Sequence, residues 1–281
     1  MNMFIVPQRT LHDALTLPGV GFGTYQLNGQ EGVDTIARAI RNGYRLLDSA
    51  FNYENEGAVG EAVRRSGVAR SELRITSKLP GRHQKYKEAI QTVEESLFRA
   101  RLDYFDLYLI HWPNPKRGLY VEAWEALLQT KSRGLVRSVG VCNFLPEHLD
   151  TLAKETHVLP SVNQIEMHPY FSQATLRAYH DDHGIATEAW SPLGRANDLL
   201  QNGVVNGIAT KLNKTPGQVV LRWHHQLGAI PLPKASSDAR QNQNLNLFDF
   251  QLDTEAMEQL GSLNRVDGRL ANQDPALYEE F

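Results

Sequence analysis

The stretch LRITSKLPGRHQKYKEAIQTVEESLFRARLDYFDLYLIH, Leu73 to His111, contains two short apolar runs and one longer segment between them. Leu73 to Ser77 and Asp106 to Ile110 are rich in branched or aromatic residues, as buried strands are. Tyr86 to Arg101 repeats apolar residues three or four positions apart, which is the spacing of an amphipathic helix. This stretch therefore predicts a strand, a helix and a second strand in succession.

The same alternation continues over the rest of the chain. We predict strands at Val20 to Gly23, Arg45 to Asp48, Leu73 to Ser77, Asp106 to Ile110, Ser138 to Cys142, Ser161 to Ile165, Ala186 to Ala189 and Ala229 to Leu232. Helical spacing lies between them at Val33 to Asn42, Tyr86 to Arg101, Val121 to Ser132, Pro146 to Glu155 and Ala174 to Asp182. Such a series suits an α/β fold, the closed parallel (β/α)8 TIM barrel, better than an open doubly wound sheet, because it fills the barrel.

Three further segments lie outside these units. We predict an N-terminal hairpin over Met1 to Thr16 and an added helix over Pro216 to Gln226, before the last strand. Asp253 to Leu263, with the tail to Phe281, predicts extra C-terminal helical structure that caps the barrel. No linker rich in proline or serine divides the chain.

Composition excludes several classes of protein. The 281 residues are 41% hydrophobic and 22% charged, and no stretch reaches the roughly 18 apolar residues of a membrane span. The N-terminus lacks a basic segment before a long apolar run, so we expect no secretory signal and a cytoplasmic location. The net charge of −3, without a run of Lys and Arg, argues against nucleic-acid binding. The single cysteine, Cys142, excludes an intramolecular disulfide and a multi-cysteine metal site.

A polar or aromatic side chain stands at or near the end of every predicted strand. In a parallel barrel the active site is built at the carboxyl ends of the strands. Taken singly, a histidine there is usually structural and a lysine is usually solvated. Together they predict one convergent site, because burying an isolated charge costs several kcal/mol. The residues are Thr24, Asp48, Lys78, His111, Asn143, Gln164, Trp190 and Lys234.

The segment GYRLLDSAFNYENEGAVG, Gly43 to Gly60, closely resembles a signature of the aldo-keto reductase family. Further segments resemble that family in the same order and cover nearly the whole chain, which implies one domain over residues 1–281. They are VGFGTYQL (Val20 to Leu27), ITSKLP (Ile75 to Pro80), SLFRARLDYFDLYLIHWP (Ser96 to Pro113), GLVRSVGVCNF (Gly134 to Phe144), NQIEMHPY (Asn163 to Tyr170), AWSPLGR (Ala189 to Arg195) and IPLPKASSDARQNQN (Ile230 to Asn244).

The resemblance implies a catalytic tetrad of Asp48, Tyr53, Lys78 and His111 that reduces a carbonyl group. Tyr53 would be the general acid, and the nearby Lys78 cation would lower the high reference pKa of its phenol. Asp48 would hold and neutralise that lysine. His111 would hydrogen-bond the substrate carbonyl, and Trp112 would line the same pocket.

The resemblance also implies NADPH as the cofactor, whereas no G-x-G-x-x-G motif supports a Rossmann site. Asn143 and Gln164 would bind the nicotinamide carboxamide, and Trp190 would stack on the ring. Lys234 and Arg240 would meet the 2′-phosphate, and two cations beside one phosphate are typical of NADPH over NADH. The implied cofactor set is Thr24, Asp48, Cys142, Asn143, Gln164, Trp190, Ser191, Leu193, Gly194, Lys234, Ala235, Ser236, Arg240, Gln243 and Asn244.

Four positions depart from the common family pattern. Cys142 stands where a carboxamide-binding serine is usual, and Ala235 replaces a frequent serine beside the phosphate lysine. Gln243 stands where a glutamate often meets the adenine amino group, which leaves Asn244 as the firmer contact on that side. Pro80 replaces a frequent tryptophan of the substrate pocket, so the family match says less about the substrate.

The substrate pocket has its own set of expected residues. Ordinary apolar packing is the alternative for Tyr25, Phe51, Pro80 and Trp112, more so for Phe51 than for Trp112. The loops expected to roof the site, Asn114 to Leu119 and Ala196 to Val204, are short and leave little to clamp a large rigid ligand. They favour small or extended polar carbonyl compounds and resemble the bacterial branch that reduces diketo sugar acids and methylglyoxal-like aldehydes. The expected substrate contacts are Tyr25, Phe51, Pro80, His111 and Trp112.

Two other functions remain alternatives. A non-catalytic barrel that binds NADPH as a sensor can keep the same residues, as some relatives in the family do. A metal-dependent barrel hydrolase needs His and carboxylate ligands on several strand ends. Only Asp48 and His111 qualify, and Lys78 between them repels a cation, so we expect no metal site. We also expect a monomer.

Overall fold

Strands and helices alternate along the chain in an α/β arrangement. The computed structural model describes residues 6–195 and 197–281. Residues 1–5 of the predicted hairpin and residue 196 of a predicted loop lie outside the described part. Within it, β1 (Gln8–Thr10) pairs antiparallel with β2 (Thr16–Pro18), so a hairpin is present and extends two residues further than predicted.

Eight parallel strands form one sheet whose spatial order follows the order of the chain. At the two edges of the sheet, the Gly21 N–H donates to the Pro231 carbonyl at 3.0 Å, and the Gly23 N–H donates to the Pro233 carbonyl at 3.1 Å. The predicted parallel sheet is confirmed, with strand bounds that differ by one or two residues. The strands are β3 (Phe22–Gly23), β4 (Leu46–Asp48), β5 (Arg74–Leu79), β6 (Phe105–Ile110), β7 (Val136–Cys142), β8 (Val162–Glu166), β9 (Ala186–Trp190) and β10 (Ile230–Pro231).

A helix follows every strand of the sheet. No helix in residues 6–195 and 197–281 has both the length and the apolar character needed to cross a membrane. The helices are α1 (Gly29–Asn42), α2 (Glu56–Ser66), α3 (Tyr86–Ala100), α4 (Tyr120–Ser132), α5 (Pro146–Thr156), α6 (Ala174–Asp182), α7 (Gly203–Leu212), α8 (Pro216–Gln226), α9 (Asp238–Leu245) and α10 (Thr254–Gly261).

Capping residues explain where two of the helices begin. Thr215 precedes α8, and its hydroxyl accepts from the Gln218 N–H at 3.2 Å while the Gln218 side chain accepts from the Thr215 N–H at 3.0 Å. The added helix predicted before the last strand is therefore confirmed. The Asn202 side chain accepts from the Val204 N–H at 2.9 Å and α7 begins at Gly203, so the loop predicted over residues 196–204 is two residues too long.

Two apolar layers stabilise the sheet, because successive side chains of a strand point to opposite faces. Along β6, Leu107 and Leu109 pack in one cluster with Leu17 of the hairpin. Tyr108 and Ile110 belong to a second cluster, which lies between the sheet and the helices. All four β6 side chains are fully buried. The hairpin therefore covers one end of the cluster that contains Leu107 and Leu109, and it leaves the carboxyl ends of the strands for the polar residues.

The α2 helix, which the sequence analysis does not predict, packs closely against the end of α3. Gly60 lies in α2, and a Cβ atom built on it would overlap the Ala100 carbonyl group. Gly207 lies within α7, and a Cβ atom built there would meet nothing within 4 Å. Two glycines inside helices thus have opposite surroundings.

We expect Gly60→Ala to lower the free energy of unfolding by about 1–3 kcal/mol, the typical cost of overpacking, because α2 must move away from α3. Gly207→Ala is the matched control and should be neutral or stabilising by about 0.5–1 kcal/mol, since alanine is the better helix former. Urea unfolding followed by circular dichroism measures both. Equal midpoints for the two variants would contradict the close packing at Gly60.

Candidate active site

A buried ion pair lies at the centre of the strand ends. Lys78 is the penultimate residue of β5, and its Nζ donates to Asp48 Oδ1 at 2.7 Å, to Asp48 Oδ2 at 2.8 Å and to the Ser49 carbonyl at 2.8 Å. The Lys78 residue is 1% exposed and Asp48 is 5% exposed. Because an unpaired buried charge is costly, the two side chains stabilise each other's charged form.

Tyr53 and His111 complete the group. Tyr53 ends a short 3-10 helix, Phe51–Tyr53, and Lys78 Nζ donates to its hydroxyl at 3.4 Å. The ring of His111, which follows β6, lies with its centroid 6.0 Å from that of Tyr53. The structure therefore brings together the four residues that the family resemblance implies as the tetrad.

The charge state of the site follows from burial and from the ion pair. Burial raises the pKa of Tyr53 to about 12, and the Lys78 cation offsets only part of that rise. The cation thus lowers the phenol pKa as expected, but removing the hydroxyl from water raises it by more. Burial alone would lower the pKa of Lys78, but Asp48 raises it well above the ordinary value. Tyr53 is thus a neutral phenol near neutral pH, beside a permanent cation.

A cavity of about 580 Å³ opens at this end of the sheet. Polar side chains outnumber aromatic ones on its wall, and the mixture suits a ligand with both hydrogen-bonding and flat apolar parts. The predicted residues on its wall are Tyr25, Asp48, Tyr53, His111, Trp112, Cys142, Asn143, Gln164, Trp190, Ser191, Leu193 and Lys234.

Several predicted residues do not reach this wall. Phe51 points away from the cavity, with its ring 4.0 Å from the Arg99 guanidinium, so the packing alternative describes it better. Pro80, expected around the substrate, and Gly194, expected to contact the cofactor, do not line the cavity either. Thr24 is fully buried behind the wall, where its hydroxyl donates to the Asp48 carbonyl at 2.8 Å.

The end of the site assigned to the adenosine lies on the surface. Lys234, Ser236, Arg240 and Gln243 are exposed on or just before α9, and of these only Lys234 lines the cavity. Ala235 and Asn244 are buried between them, and Ala235 packs into the apolar layer under the helices. The exposed residues are the ones in a position to meet a phosphate from solvent.

Asn143 and Trp190 hold each other at the cavity wall. Trp190 Nε1 donates to Asn143 Oδ1 at 2.8 Å, and Asn143 Nδ2 donates to the His111 carbonyl at 3.1 Å. Asn143 has a left-handed backbone with φ of 61°, a conformation that asparagine tolerates better than most residues. The residues at the carboxyl ends of β6, β7 and β9 are thus fixed relative to one another.

The sequence analysis missed a buried asparagine that supports the tetrad. Asn55 is 1% exposed, accepts from the Ser49 hydroxyl at 2.7 Å and donates to the Thr24 carbonyl at 2.6 Å. It thereby joins the segments after β3 and β4. Asn55 lies inside the family-like signature FNYENEG, and this position was the available signal.

The C-terminal tail also contributes to the site, and no sequence signal indicated it. The Glu280 carboxylate lies 2.6 Å from His111 Nδ1 and accepts from the Gly81 N–H at 2.8 Å and from Asn52 Nδ2 at 2.8 Å. Asn114 Nδ2 donates to the Glu280 carbonyl at 2.7 Å, and the Glu280 N–H donates to Asn114 Oδ1 at 3.1 Å. A Cβ atom on Gly81 would clash with Asn114 and the Glu280 carbonyl, so glycine leaves the space for the tail.

The charge of Glu280 follows from these contacts. Burial by itself would raise the pKa of this carboxyl group, but His111 and the surrounding donors hold it below the ordinary value. The cavity therefore has a carboxylate on the side of His111. Arg195, whose guanidinium lies 5.0 Å from the centroid of the Tyr25 ring, contributes a cation to the same wall.

Metal ligands are not grouped in this region. Among the described residues, no set of three or more His, Cys, Asp or Glu side chains is arranged to hold a metal ion.

Cys142 is buried, and burial raises the pKa of its thiol well above the ordinary value.

Residues 19–265 match the family model described as the Aldo/keto reductase family. The chain belongs to the aldo/keto reductase family. It is 48% identical over 276 residues to 2,5-diketo-D-gluconic acid reductase B of Corynebacterium sp. (strain SHS752001), covering 98% of this chain and 99% of that protein. It is 42% identical over 278 residues to methylglyoxal reductase DkgA of Yersinia pestis, covering 98% of this chain and 99% of that protein.

Solved structures show the same fold. The Bombyx mori aldo-keto reductase in complex with NADP superposes with a TM-score of 0.85 at 33% identity, over 92% of this chain and 93% of that chain. The family resemblance stated for the sequence is thereby confirmed, and the strand order of the sheet agrees with it.

Proposed function

We propose that the protein reduces aldehydes or ketones to alcohols, with NADPH as the reductant and Tyr53 as the proton donor. The observation that carries this proposal is the contact between the Tyr53 hydroxyl and the Lys78–Asp48 ion pair at the wall of the cavity. A phenol in this position has a proton to give and a cation that stabilises the phenolate left behind.

The residues on the wall fit a nicotinamide dinucleotide. Gln164 and Asn143 offer amide groups, Trp190 offers a flat ring, and Lys234 and Arg240 offer cations at the exposed end. The Bombyx mori relative was solved with NADP, which supports the same cofactor here. The cofactor supplies the hydride in this chemistry.

The chain's own residues have separate tasks in the reaction. Tyr53 gives its proton to the carbonyl oxygen as negative charge develops there. The high pKa of Tyr53 keeps the proton on the phenol until the more basic alkoxide oxygen develops on the substrate. Lys78, held by Asp48, then stabilises the phenolate that remains. His111 lies beside Tyr53 and orients the carbonyl oxygen by a hydrogen bond.

We infer that the sheet closes into a (β/α)8 barrel, since the bonds from Gly21 to Pro231 and from Gly23 to Pro233 join the two edge strands. A closed barrel makes residues 1–281 a single domain. The monomeric state and the cytoplasmic location remain predictions from the sequence.

The cavity wall favours particular carbonyl compounds. Glu280 places a carboxylate beside His111, so a carboxylate directly attached to the reacting carbonyl would be repelled. Arg195 offers a cation elsewhere on the wall, where the acid group of an extended sugar acid has a partner. The substrates we propose are small keto aldehydes and keto sugar acids whose carboxylate is remote from the reacting carbonyl, in line with the names of the two relatives.

Tyr53→Phe should lower kcat by about 10² to 10⁴, the typical contribution of a positioned general acid, because the ring stays and the transferable proton is lost. The dissociation constant of NADPH should stay the same, which separates a lost proton donor from a disrupted site. Oxidation of NADPH with methylglyoxal, followed by absorbance, measures turnover. Retention of more than about a tenth of the wild-type kcat would assign the proton to another group.

Arg240→Ala should weaken NADPH binding by roughly tenfold and leave NADH binding nearly unchanged, since a charge-assisted contact contributes about 1.5–3 kcal/mol before solvent screening. Quenching of tryptophan fluorescence gives both dissociation constants, and NADH is the internal control. Added salt should reduce the preference of the wild type for NADPH over NADH, because it screens the contact with the 2′-phosphate. Equal affinities of the wild type for the two cofactors would rule out a working 2′-phosphate site.

Glu280→Gln should raise kcat/KM for pyruvate relative to methylglyoxal by at least about fivefold, because a like-charge contact of at least about 1 kcal/mol is removed. Pyruvate carries a carboxylate where methylglyoxal carries its aldehyde. Glu279→Gln is the matched control in the same tail, since Glu279 does not line the cavity and should leave the ratio unchanged. An unchanged ratio in the Glu280 variant would remove the electrostatic argument about the substrate.

A further inference from the structure

One buried carboxyl group of the sheet has no task in the proposed reaction. Glu188 lies in β9, directly opposite Gln164 of β8, and its side chain is fully buried. Its Oε2 accepts from Gln164 Nε2 at 2.9 Å. Within the described residues its Oε1 has no hydrogen-bond partner. A buried carboxyl group is costly, and this one has only one partner to compensate for it.

Gln164 connects Glu188 to the catalytic ion pair. Gln164 Nε2 also donates to Asp48 Oδ1 at 2.8 Å, and that oxygen accepts from Lys78 Nζ at 2.7 Å. Both N–H groups of the Gln164 amide are therefore directed at carboxyl groups of the protein. An amide has its nitrogen and its oxygen on opposite sides of one planar group, so the Oε1 atom must face away from Glu188 and Asp48.

The orientation of this amide is chemically determined. Turning the amide over would place Oε1 against two carboxyl groups, and a carboxylate such as the ion-paired Asp48 can only accept hydrogen bonds. Burial raises the pKa of Glu188 to about 7, and in either protonation state one of its oxygens accepts from Gln164. Gln164 lines the cavity, so its one free polar atom is an acceptor on that wall.

We propose that Glu188 is a positioning residue that, together with Asp48, holds Gln164 Oε1 toward the cavity to accept from an amide nitrogen of the ligand. The inference rests on the proposed function, in which that ligand group is the carboxamide of NADPH. A cofactor with a carboxylate in place of the carboxamide has no N–H group to donate to Gln164 Oε1, so two acceptors would face each other. Glu188 thereby contributes to selection of the nicotinamide form without touching it.

The test compares three ligands on wild type, Glu188→Gln and Glu188→Leu. NADP+ carries the carboxamide, its nicotinic acid analogue carries a carboxylate there, and 2′-phospho-ADP-ribose lacks the ring. Fluorescence quenching gives each dissociation constant. We expect Glu188→Leu to weaken the binding of NADP+ by about tenfold and to leave the binding of 2′-phospho-ADP-ribose unchanged. The ratio of the dissociation constants of the acid analogue and NADP+ should become smaller. Glu188→Gln keeps an acceptor for Gln164 and should bind all three within about twofold of wild type.

If Glu188→Leu weakens the binding of NADP+ and of 2′-phospho-ADP-ribose equally, the proposal is overturned, because loss of a general structural role would have that effect. An unchanged preference for NADP+ over the acid analogue would also overturn it. Glu188→Ala is measured together with Glu188→Leu. The comparison uses whichever of the two variants has the same thermal transition temperature as the wild type. Failure of the wild type to bind NADP+ would overturn the proposed cofactor as well, which distinguishes the two failures.

Discussion

The ion pair between Lys78 and Asp48 is the interaction on which the site depends. Both residues are almost fully buried at the ends of neighbouring strands, so each charge depends mainly on the other for compensation. Each group around the pair either donates to Asp48 or accepts from Lys78, as Gln164 and the Ser49 carbonyl do. The pair therefore fixes the side chains near it as well as their charges. The phenol of Tyr53 lies next to this pair and stays neutral near neutral pH.

The fold separates stability from chemistry along the axis of the strands. The apolar cluster that contains Leu17, Leu107 and Leu109 packs against one face of the sheet, whose strands are joined by backbone hydrogen bonds. The polar residues lie at the opposite, carboxyl ends, where loops rather than core positions surround them. A residue such as Asn55 belongs to neither category, because it is buried but serves the loops that carry Thr24 and Ser49.

Local pattern was enough to predict the strands, most helices and the residues at the strand ends. Parallel strands end on the same edge of a sheet, so a pattern of short range specifies a site assembled over long range. The contribution of Glu280 follows no such rule. Its place depends on contacts with Gly81 and Asn114, which lie far from it in sequence. The direction in which Phe51 points and the net shift of the Tyr53 pKa likewise depend on neighbours and burial, which become known only with the three-dimensional structure.

The position of the tail in the chain has a consequence for biosynthesis. Every strand of the sheet precedes Tyr278 and Glu280 in chain order, and Tyr278 packs against Trp112 at a ring-centroid distance of 4.5 Å. A nascent polypeptide emerges from the ribosome with its N-terminal part first. The sheet and the ion pair can therefore form while the side of the cavity next to His111 still lacks its carboxylate. Glu280 thus joins the site after the residues of the ion pair have already left the ribosome.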